Sequence, residues 1–257
     1  MDRNESYDPR LVSGLVLKPA RGSLDIQVTD TPAIQVMVSG SDDDAAALKL
    51  NFADGIISME QPAYGLSVHI NANHWLQITV QLPRSWKGAV EANTISGMVK
   101  ARGITGTDVK LESVTGQLQA DNIEAMNLAL HTTTGSIAAS SLYGESLSLR
   151  SISGNVSVVN TAFRTIRLSN VSGQSELELN APYETLEGST ISGDIRVWAP
   201  VALADARVKT VTGRIRTGNV SLSDQGPKLS LSSVSATLEI NNNQNSNQED
   251  MNHGKTE

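Results

Sequence analysis

Cysteine is absent from this chain of 257 residues, so disulfide bonds and thiolate metal sites are excluded. Aromatic residues are scarce, at three Trp, four Tyr and two Phe, and the core must therefore be built from Val, Ile, Leu and Ala. No apolar run approaches the roughly 20 residues that a membrane-spanning helix needs. The balance of 39% hydrophobic and 18% charged residues is otherwise that of a globular protein.

An excess of basic residues is also lacking. The formal net charge is −7 and the sequence pI is about 5.1, which argues against nucleic acid as a partner. The N-terminal stretch MDRNESYDPR does not have the basic-then-apolar layout of a signal peptide. The compartment stays open: we expect a cytoplasmic protein as written, or a cell-surface protein if it is exported by another route.

A short phrase, [Ser/Thr/Asn]-x-[Ser/Thr]-Gly, returns seven times at near-constant intervals. The glycines that end it are Gly97, Gly116, Gly135, Gly154, Gly173, Gly193 and Gly213. A degenerate eighth copy, SVSA, ends at Ala236 after a slightly longer interval. A fixed period of about 20 residues is typical of a solenoid, in which each repeat is one turn of a coil.

Within each repeat, apolar and polar residues alternate with a period of two, which predicts strands rather than helices. The predicted fold is an all-β, single-domain parallel β-solenoid, or β-helix, of about 19–20 residues per lap, with a β-rich N-terminal cap region. The glycine of each phrase suits a corner between strands. We expect the inner Ile or Val of a phrase such as SISG to fill the core, with the flanking Ser and Thr facing outward or bonding the backbone.

Composition divides the chain into four parts. Residues 1–11 are predicted to be a flexible N-terminus, and residues 12–93 a β-rich region that caps the coil. Residues 94–240 carry the solenoid repeats. Residues 241–257, NNNQNSNQEDMNHGKTE, have almost no apolar content and are predicted to be a disordered tail.

Catalytic patterns are weak. Charged residues on adjacent laps, which an enzyme site would require, are more simply interpreted as cross-strand ion pairs; they are Asp194, Arg196, Arg214 and Arg216, and elsewhere Asp108, Lys110 and Glu112. His69, Asn71, Asn73 and His74 are interpreted as incidental polar residues because no carboxylate accompanies them. No catalytic residue, cofactor or metal site is predicted.

The few aromatic residues are grouped. Tyr143, Phe163 and Tyr183 follow one another at equal intervals of about one lap, and Trp198 comes one lap later. This spacing predicts an aromatic corner on consecutive laps. Packed inside, the rings would fill a widened corner of the core; exposed, they would bind sugar rings or the side chains of a partner. These four residues are the candidate binding site.

Three parts of the sequence carry a resemblance to a known family. They are SLDIQVTDTPAIQVMVSG, the strand LQITVQLPRSW that follows it, and the successive T-x-S-G laps. From about residue 12 to 240, the chain resembles the bacterial putative-adhesin family of β-solenoid proteins, also classed as a domain of unknown function. The resemblance implies a non-catalytic structural or binding module. Its partner would be an unknown protein or a surface polysaccharide, with self-association also possible.

Two alternatives remain. One is a polysaccharide-acting enzyme of the pectin-lyase-like kind, because β-helices also host such enzymes. The other is a cytosolic scaffold in an envelope-stress or regulatory context, which would fit the lack of an export signal.

Overall fold

The chain forms one continuous coil of short β-strands. The computed structural model describes residues 2–61 and 75–243. The N-terminal part contains β1 (Asp2–Tyr7), β2 (Gly14–Lys18), β3 (Ser23–Thr29), β4 (Ile34–Gly40), α1 (Asp42–Ala47), β5 (Lys49–Ala53), β6 (Ile56–Glu60) and β7 (Leu76–Pro83). No helix in these residues is long and apolar enough to cross a membrane.

The middle of the coil is regular. Its strands are β8 (Ala89–Ser96), β9 (Val99–Arg102), β10 (Thr105–Thr115), β11 (Leu118–Thr134), β12 (Ile137–Ser153) and β13 (Val156–Ser172). Pairing is parallel and shifted by one lap, so that Leu118 lies beside Ile137 and Leu130 beside Leu149. The predicted parallel β-solenoid is therefore confirmed.

Two of the corners that bend each lap are marked by particular residues. One carries the repeated glycine phrase. The other carries Gly103, Asn122, Ser141 and Asn160, which all have positive φ angles between 52° and 72°. Asn and Ser tolerate this left-handed conformation better than most residues do, although the sequence analysis did not recognise this second set of corners.

Within the glycine phrase, the inner Ile or Val is oriented opposite to the prediction, whereas the Ser or Thr before the glycine lies toward the surface as predicted. The first polar residue is buried in six of the seven glycine phrases, and these residues are Thr94, Ser113, Thr132, Ser151, Asn170 and Thr190; Thr210 of the seventh phrase is partly buried. The inner Ile or Val instead faces solvent. The reason is that the period of two continues through the strand: Leu111 and Ser113 both point inward, so Val114 must point outward. The inside of the corner holds a small side chain only.

One buried column of the core is interrupted by a polar pair. The column consists of Val99, Leu118, Ile137, Val156, Ser175, Ile195 and Leu238. The amide nitrogen of Asn170 donates to the Ser175 hydroxyl over 3.0 Å and to the Gly154 carbonyl over 3.2 Å. These hydrogen bonds offset the cost of burying Ser175 at a position where the other laps of the column have an aliphatic residue.

The C-terminal laps do not follow sequence order. The strands are β14 (Ser175–Leu179), β15 (Thr185–Thr190), β16 (Ile195–Ala199), β17 (Leu203–Thr210), β18 (Arg214–Gly218), β19 (Ser221–Leu222), β20 (Lys228–Ser233) and β21 (Thr237–Asn242). β20 lies between β15 and β17, and β21 lies between β16 and β18. The lap that comes last in the sequence is therefore inserted before the lap that ends the coil.

The N-terminal end has the same kind of insertion. β2 lies between β6 and β8, and β3 lies between β7 and β9. β4 runs antiparallel to both β7 and β1, and β5 runs antiparallel to β6. The outermost described strands of this end are β1 and β5, and α1 lies in the segment between β4 and β5.

Two predicted boundaries differ from the structure. Residues 1–11 are predicted to be flexible, whereas Asp2–Tyr7 forms β1 because its backbone pairs with β4. The predicted disordered tail begins at residue 241, whereas β21 extends to Asn242. Residues 244–257, and the stretch with His69, Asn71, Asn73 and His74, lie outside the described residues.

The inserted C-terminal lap makes a testable difference to backbone protection. We expect the amides of β21 to exchange with deuterium at least about 100-fold more slowly than those of β18, since β21 is paired on both sides and β18 with β21 alone among the described strands. Hydrogen-exchange mass spectrometry of the native chain measures both. Slower exchange in β18 than in β21 would contradict the insertion, because it is the pattern of laps stacked in sequence order.

Candidate binding surface

An exposed row of mostly aliphatic side chains follows the glycine corner along the coil. We call this row the aliphatic ridge, and in order along the coil its members are Ile95, Val114, Thr133, Ile152, Val171, Ile191, Val234 and Val211. Its aliphatic members are between 38% and 77% exposed. At about 4.8 Å per lap, the ridge is roughly 35 Å long.

Hydrogen bonds between laps hold the ridge in place. The Thr115 hydroxyl donates to the Ile95 carbonyl over 3.0 Å, and the Ser172 hydroxyl donates to the Ile152 carbonyl over 3.3 Å. At the C-terminal end, the Thr212 hydroxyl donates to the Val234 carbonyl over 3.2 Å. At these three places the hydroxyl of the residue before the glycine position bonds the backbone of a ridge residue on the neighbouring lap, which holds the backbone beneath the ridge.

Glycine is required beside the ridge because successive laps approach closely. A Cβ atom on Gly116 would lie 1.8 Å from the Gly97 carbonyl oxygen, and one on Gly154 would lie 1.8 Å from that of Gly135. Atoms cannot approach so closely, so the glycine corner fixes the stacking distance on which the ridge depends.

A polar cluster lies next to the ridge and is centred on Glu112. The carboxylate lies 3.0 Å from Lys110 Nζ and 3.2 Å from His131 Nδ1, and it accepts a hydrogen bond of 3.2 Å from Asn93. Burial opposes the charged form of Glu112, but the hydrogen bonds from Lys110 and His131 outweigh it and lower the pKa. Burial also lowers the pKa of His131, against the effect of Glu112. Glu112 is therefore in its charged form near neutral pH, where it is paired with Lys110 and hydrogen-bonded to His131.

The predicted aromatic corner is divided between the interior and the surface. Phe163 and Tyr183 are both buried, and adjacent backbone pairing places them on neighbouring laps. Phe163 lies beside Gly144, where a Cβ atom would come within 2.8 Å of its ring. Burial raises the pKa of Tyr183 to about 12. These two rings fill the inside of the coil.

The other two aromatic residues lie elsewhere. Tyr143 pairs in register with Ala162 rather than with Phe163, and its hydroxyl lies 3.3 Å from the amide nitrogen of Asn160. Trp198 is on the outer face of β16, beside a shallow cavity of about 340 Å³. That cavity is lined by Val158, Val159, Glu176, Glu178, Trp198 and Asn243. The structure therefore brings Phe163 and Tyr183 together and separates them from Tyr143 and Trp198.

Only some of the charged residues predicted as cross-strand pairs form ion pairs, since Arg214 and Arg216 make none with a residue that the structure describes. Arg196 lies 3.0 Å from Glu176, 3.6 Å from Glu239 and 3.9 Å from Asp194. Asp194 also accepts a hydrogen bond of 2.8 Å from the Thr237 backbone. Among residues 2–61 and 75–243, no group of three or more His, Asp or Glu could hold a metal ion.

The family model of Toastrack DUF4097 matches residues 17–253. The chain belongs to the Toastrack DUF4097 family. No curated protein matches the chain by sequence.

Solved structures share the Toastrack fold at low sequence identity. A "putative adhesin" from Parabacteroides merdae superimposes with a TM-score of 0.58 at 9% identity, covering 93% of this chain and 95% of the other. One from Parabacteroides distasonis gives 0.57 at 13% identity, with 93% and 96% covered. A "putative lipid binding protein" from the same species gives 0.57 at 15%, also with 93% and 96% covered. At these identities, the likeness concerns the fold alone.

The aliphatic ridge is the surface that the sequence analysis missed. Its signal was present in the repeat itself, because the inner Ile or Val recurs in all but one phrase. The strand period assigns those positions to the outside, whereas the glycine phrase taken alone suggests the inside. Continuing the alternation of inward and outward side chains from the buried Leu111 places Val114 outside, and the same count places the other ridge residues outside.

Proposed function

We propose that this Toastrack protein is a non-catalytic binding module that docks another protein along the aliphatic ridge. The observation that carries the proposal is the exposure of seven aliphatic side chains in one row along the coil. Contiguous exposed apolar surface is unusual on a soluble protein that has no partner, and it marks sites of interaction. The names of the adhesin-like structural neighbours agree with a binding role.

The chemistry of the ridge favours protein over the other partners. Sugar rings are bound by stacking on aromatic side chains, and the ridge contains none. An acyl chain needs a concave pocket that covers most of its surface, whereas the ridge follows an outer corner of the coil. A protein that presents its own row of apolar side chains can match a straight ridge with a repeat of about 4.8 Å.

The polar clusters support a non-enzymatic role. Glu112 is held by Lys110 and His131, and Arg196 is held by carboxylates of the neighbouring laps. A glycoside-cleaving site needs two carboxyl groups facing one bond, with space between them for the substrate. The pectin-lyase-like alternative therefore finds no support in these residues.

Photo-crosslinking in the producing cells tests the proposal. With benzoylphenylalanine at position 152, on the ridge, we expect a discrete adduct that contains peptides of another protein. The matched control is position 159, where Val159 is 39% exposed on a different face, against 49% for Ile152. An adduct at position 159 and none at 152 would shift the binding surface to the face of Trp198. An adduct without foreign peptides would contradict a protein partner.

Substitution on the ridge gives the quantitative measurement. For the purified cross-linked partner, we expect Ile152→Asp with Val171→Asp to weaken binding at least about 30-fold by calorimetry, because two charges would be buried at the interface. Unfolding stability should change by less than about 1 kcal/mol, since both side chains face solvent. Val159→Asp should change neither. Equal affinities for the ridge variant and the parent chain would refute the proposal.

A further inference from the structure

Within the part of the chain that the structure describes, the last lap of the coil leaves strand edges and apolar side chains uncovered. There β18 pairs with β21 alone. Apart from β20, β17 pairs only with β19, and only through Leu203 and Ala204. The exposed apolar side chains of this end are Leu203, Val211, Ile215 and Leu222, at 46% to 77%. Ile215 continues an interior column of the core, and no further described lap covers it.

The same lap is rich in basic side chains. Residues 203–226 contain four basic side chains and two acidic ones. The basic residues are Arg207, Lys209, Arg214 and Arg216, and none of them makes an ion pair with a residue that the structure describes. This end, which we call the basic end, therefore carries a net positive charge.

The opposite end of the coil has the complementary charge. Residues 2–10 and 41–54, which form β1, α1, β5 and the segments beside them, contain seven acidic and three basic residues. Arg3 and Arg10 are already paired with Glu5 and Asp8. Asp2, Asp43 and Asp54 are exposed. We call this end the acidic end.

The acidic end also offers strand edges and apolar surface. Among the described strands, β1 pairs with β4 alone and β5 with β6 alone. Phe52 is 39% exposed and its ring centroid lies 5.5 Å from that of Tyr7. Because β1 is antiparallel to β4, and β4 is antiparallel to β7, β1 runs in the same direction as the coil strands. A translated second copy can therefore continue the sheet by placing its β1 beside β18.

We propose that this protein associates head to tail, with the basic end of one copy docked on the acidic end of a second copy. The proposal does not depend on the function assigned to the aliphatic ridge, because the ridge shares only its last member, Val211, with the basic end and no residue with the acidic end. A head-to-tail contact uses two unlike surfaces and therefore propagates along the coil axis instead of closing at two copies. It also buries the unpaired edges that a coil end otherwise exposes.

Sedimentation velocity of the full chain tests the association. At about 100 µM protein and about 20 mM salt, we expect a weight-average mass of at least twice the monomer mass, falling toward the monomer value at about 0.5 M salt because the charges are then screened. The monomer mass is 27.3 kDa. A mass that stays at the monomer value in low salt would overturn the proposal.

Charge exchange identifies the surfaces. The basic-end variant carries Arg214→Glu and Arg216→Glu, and the acidic-end variant carries Asp2→Lys and Asp43→Lys. Each alone should raise the dissociation constant at least about tenfold, and an equal mixture should recover association because its reversed ends match. The control with Arg150→Glu and Lys100→Glu, in the middle of the coil, should associate like the parent chain. Failure of the mixture to recover would refute head-to-tail pairing.

Two further outcomes would show that the basic end is occupied by something other than a second copy of the chain. If the chain is monomeric until residues 244–257 are removed, that segment covers the basic end and the proposal is wrong. If the chain is monomeric and binds polyglutamate through Arg214 and Arg216, the basic end serves a different acidic partner and the proposal is again wrong.

Discussion

Replacing Gly116 with alanine is expected to destabilise the protein by about 4 kcal/mol or more, a large share of the roughly 5–15 kcal/mol of a typical domain. The new Cβ atom would lie 1.8 Å from the Gly97 carbonyl oxygen and 2.8 Å from its carbon. Because both are backbone atoms, only separation of the two laps relieves the overlap. That separation breaks the hydrogen bonds on either side of the corner and exposes the core between them.

The matched control is Gly103→Ala, at the second corner. Gly103 has a φ of 72°, but its nearest neighbour, the Cβ of Val28, would be 3.4 Å away. The cost is then only the left-handed backbone strain, about 1–2 kcal/mol. Urea unfolding followed by far-UV circular dichroism measures both variants. Equal losses for the two variants would show that backbone strain, and not the approach of successive laps, explains the glycine at the repeated corner.

Truncating Phe163 to alanine is expected to cost about 3–5 kcal/mol, whereas Tyr143→Ala should cost less than about 1 kcal/mol. Phe163 is 3% exposed and fills the space beside Gly144, so its removal leaves a cavity. Tyr143 is only partly buried, and its hydroxyl accepts a hydrogen bond of 3.3 Å from Asn160. Chemical denaturation of the two variants under one set of conditions gives the difference.

The variants Phe163→Ala and Tyr143→Ala also distinguish a packing role from a binding role for the residues of the aromatic corner. If Phe163→Ala leaves stability unchanged while weakening binding of the purified partner, the ring is a binding residue and the interior position is wrong. If Tyr143→Ala weakens binding of the partner without loss of stability, the binding edge extends to that residue, away from the aliphatic ridge.

Much of the coil is determined locally. The equal spacing of Gly97, Gly116 and Gly135 and the alternation around Leu111 and Leu130 suffice to predict parallel laps of constant length. Each lap satisfies its backbone groups with the lap one period away, so the repeat length also sets the pairing register. The outward orientation of the ridge residues was in principle predictable from the same alternation, but the glycine phrase pointed the other way.

The sites were less predictable than the coil. Equal spacing along the sequence does not ensure equal positions on successive laps, because the laps themselves differ in length. The interval from Tyr143 to Phe163 is longer than the lap that joins them, since Tyr143 pairs with Ala162 and Phe163 with Gly144. One side chain therefore lies near the surface while the other is buried. The length of each individual lap decides which aromatic residues meet.

The sequence by itself determined the parallel coil, its repeat and its aliphatic core, because these follow from neighbouring residues and from a period that successive laps share. Only the tertiary structure decided the order of the laps at the two ends. Any lap can pair with any other in the same register. The period therefore does not predict that β20 lies between β15 and β17, or that β21 lies between β16 and β18. For the same reason, the acidic and basic ends emerged only when distant segments were brought to opposite ends of one coil.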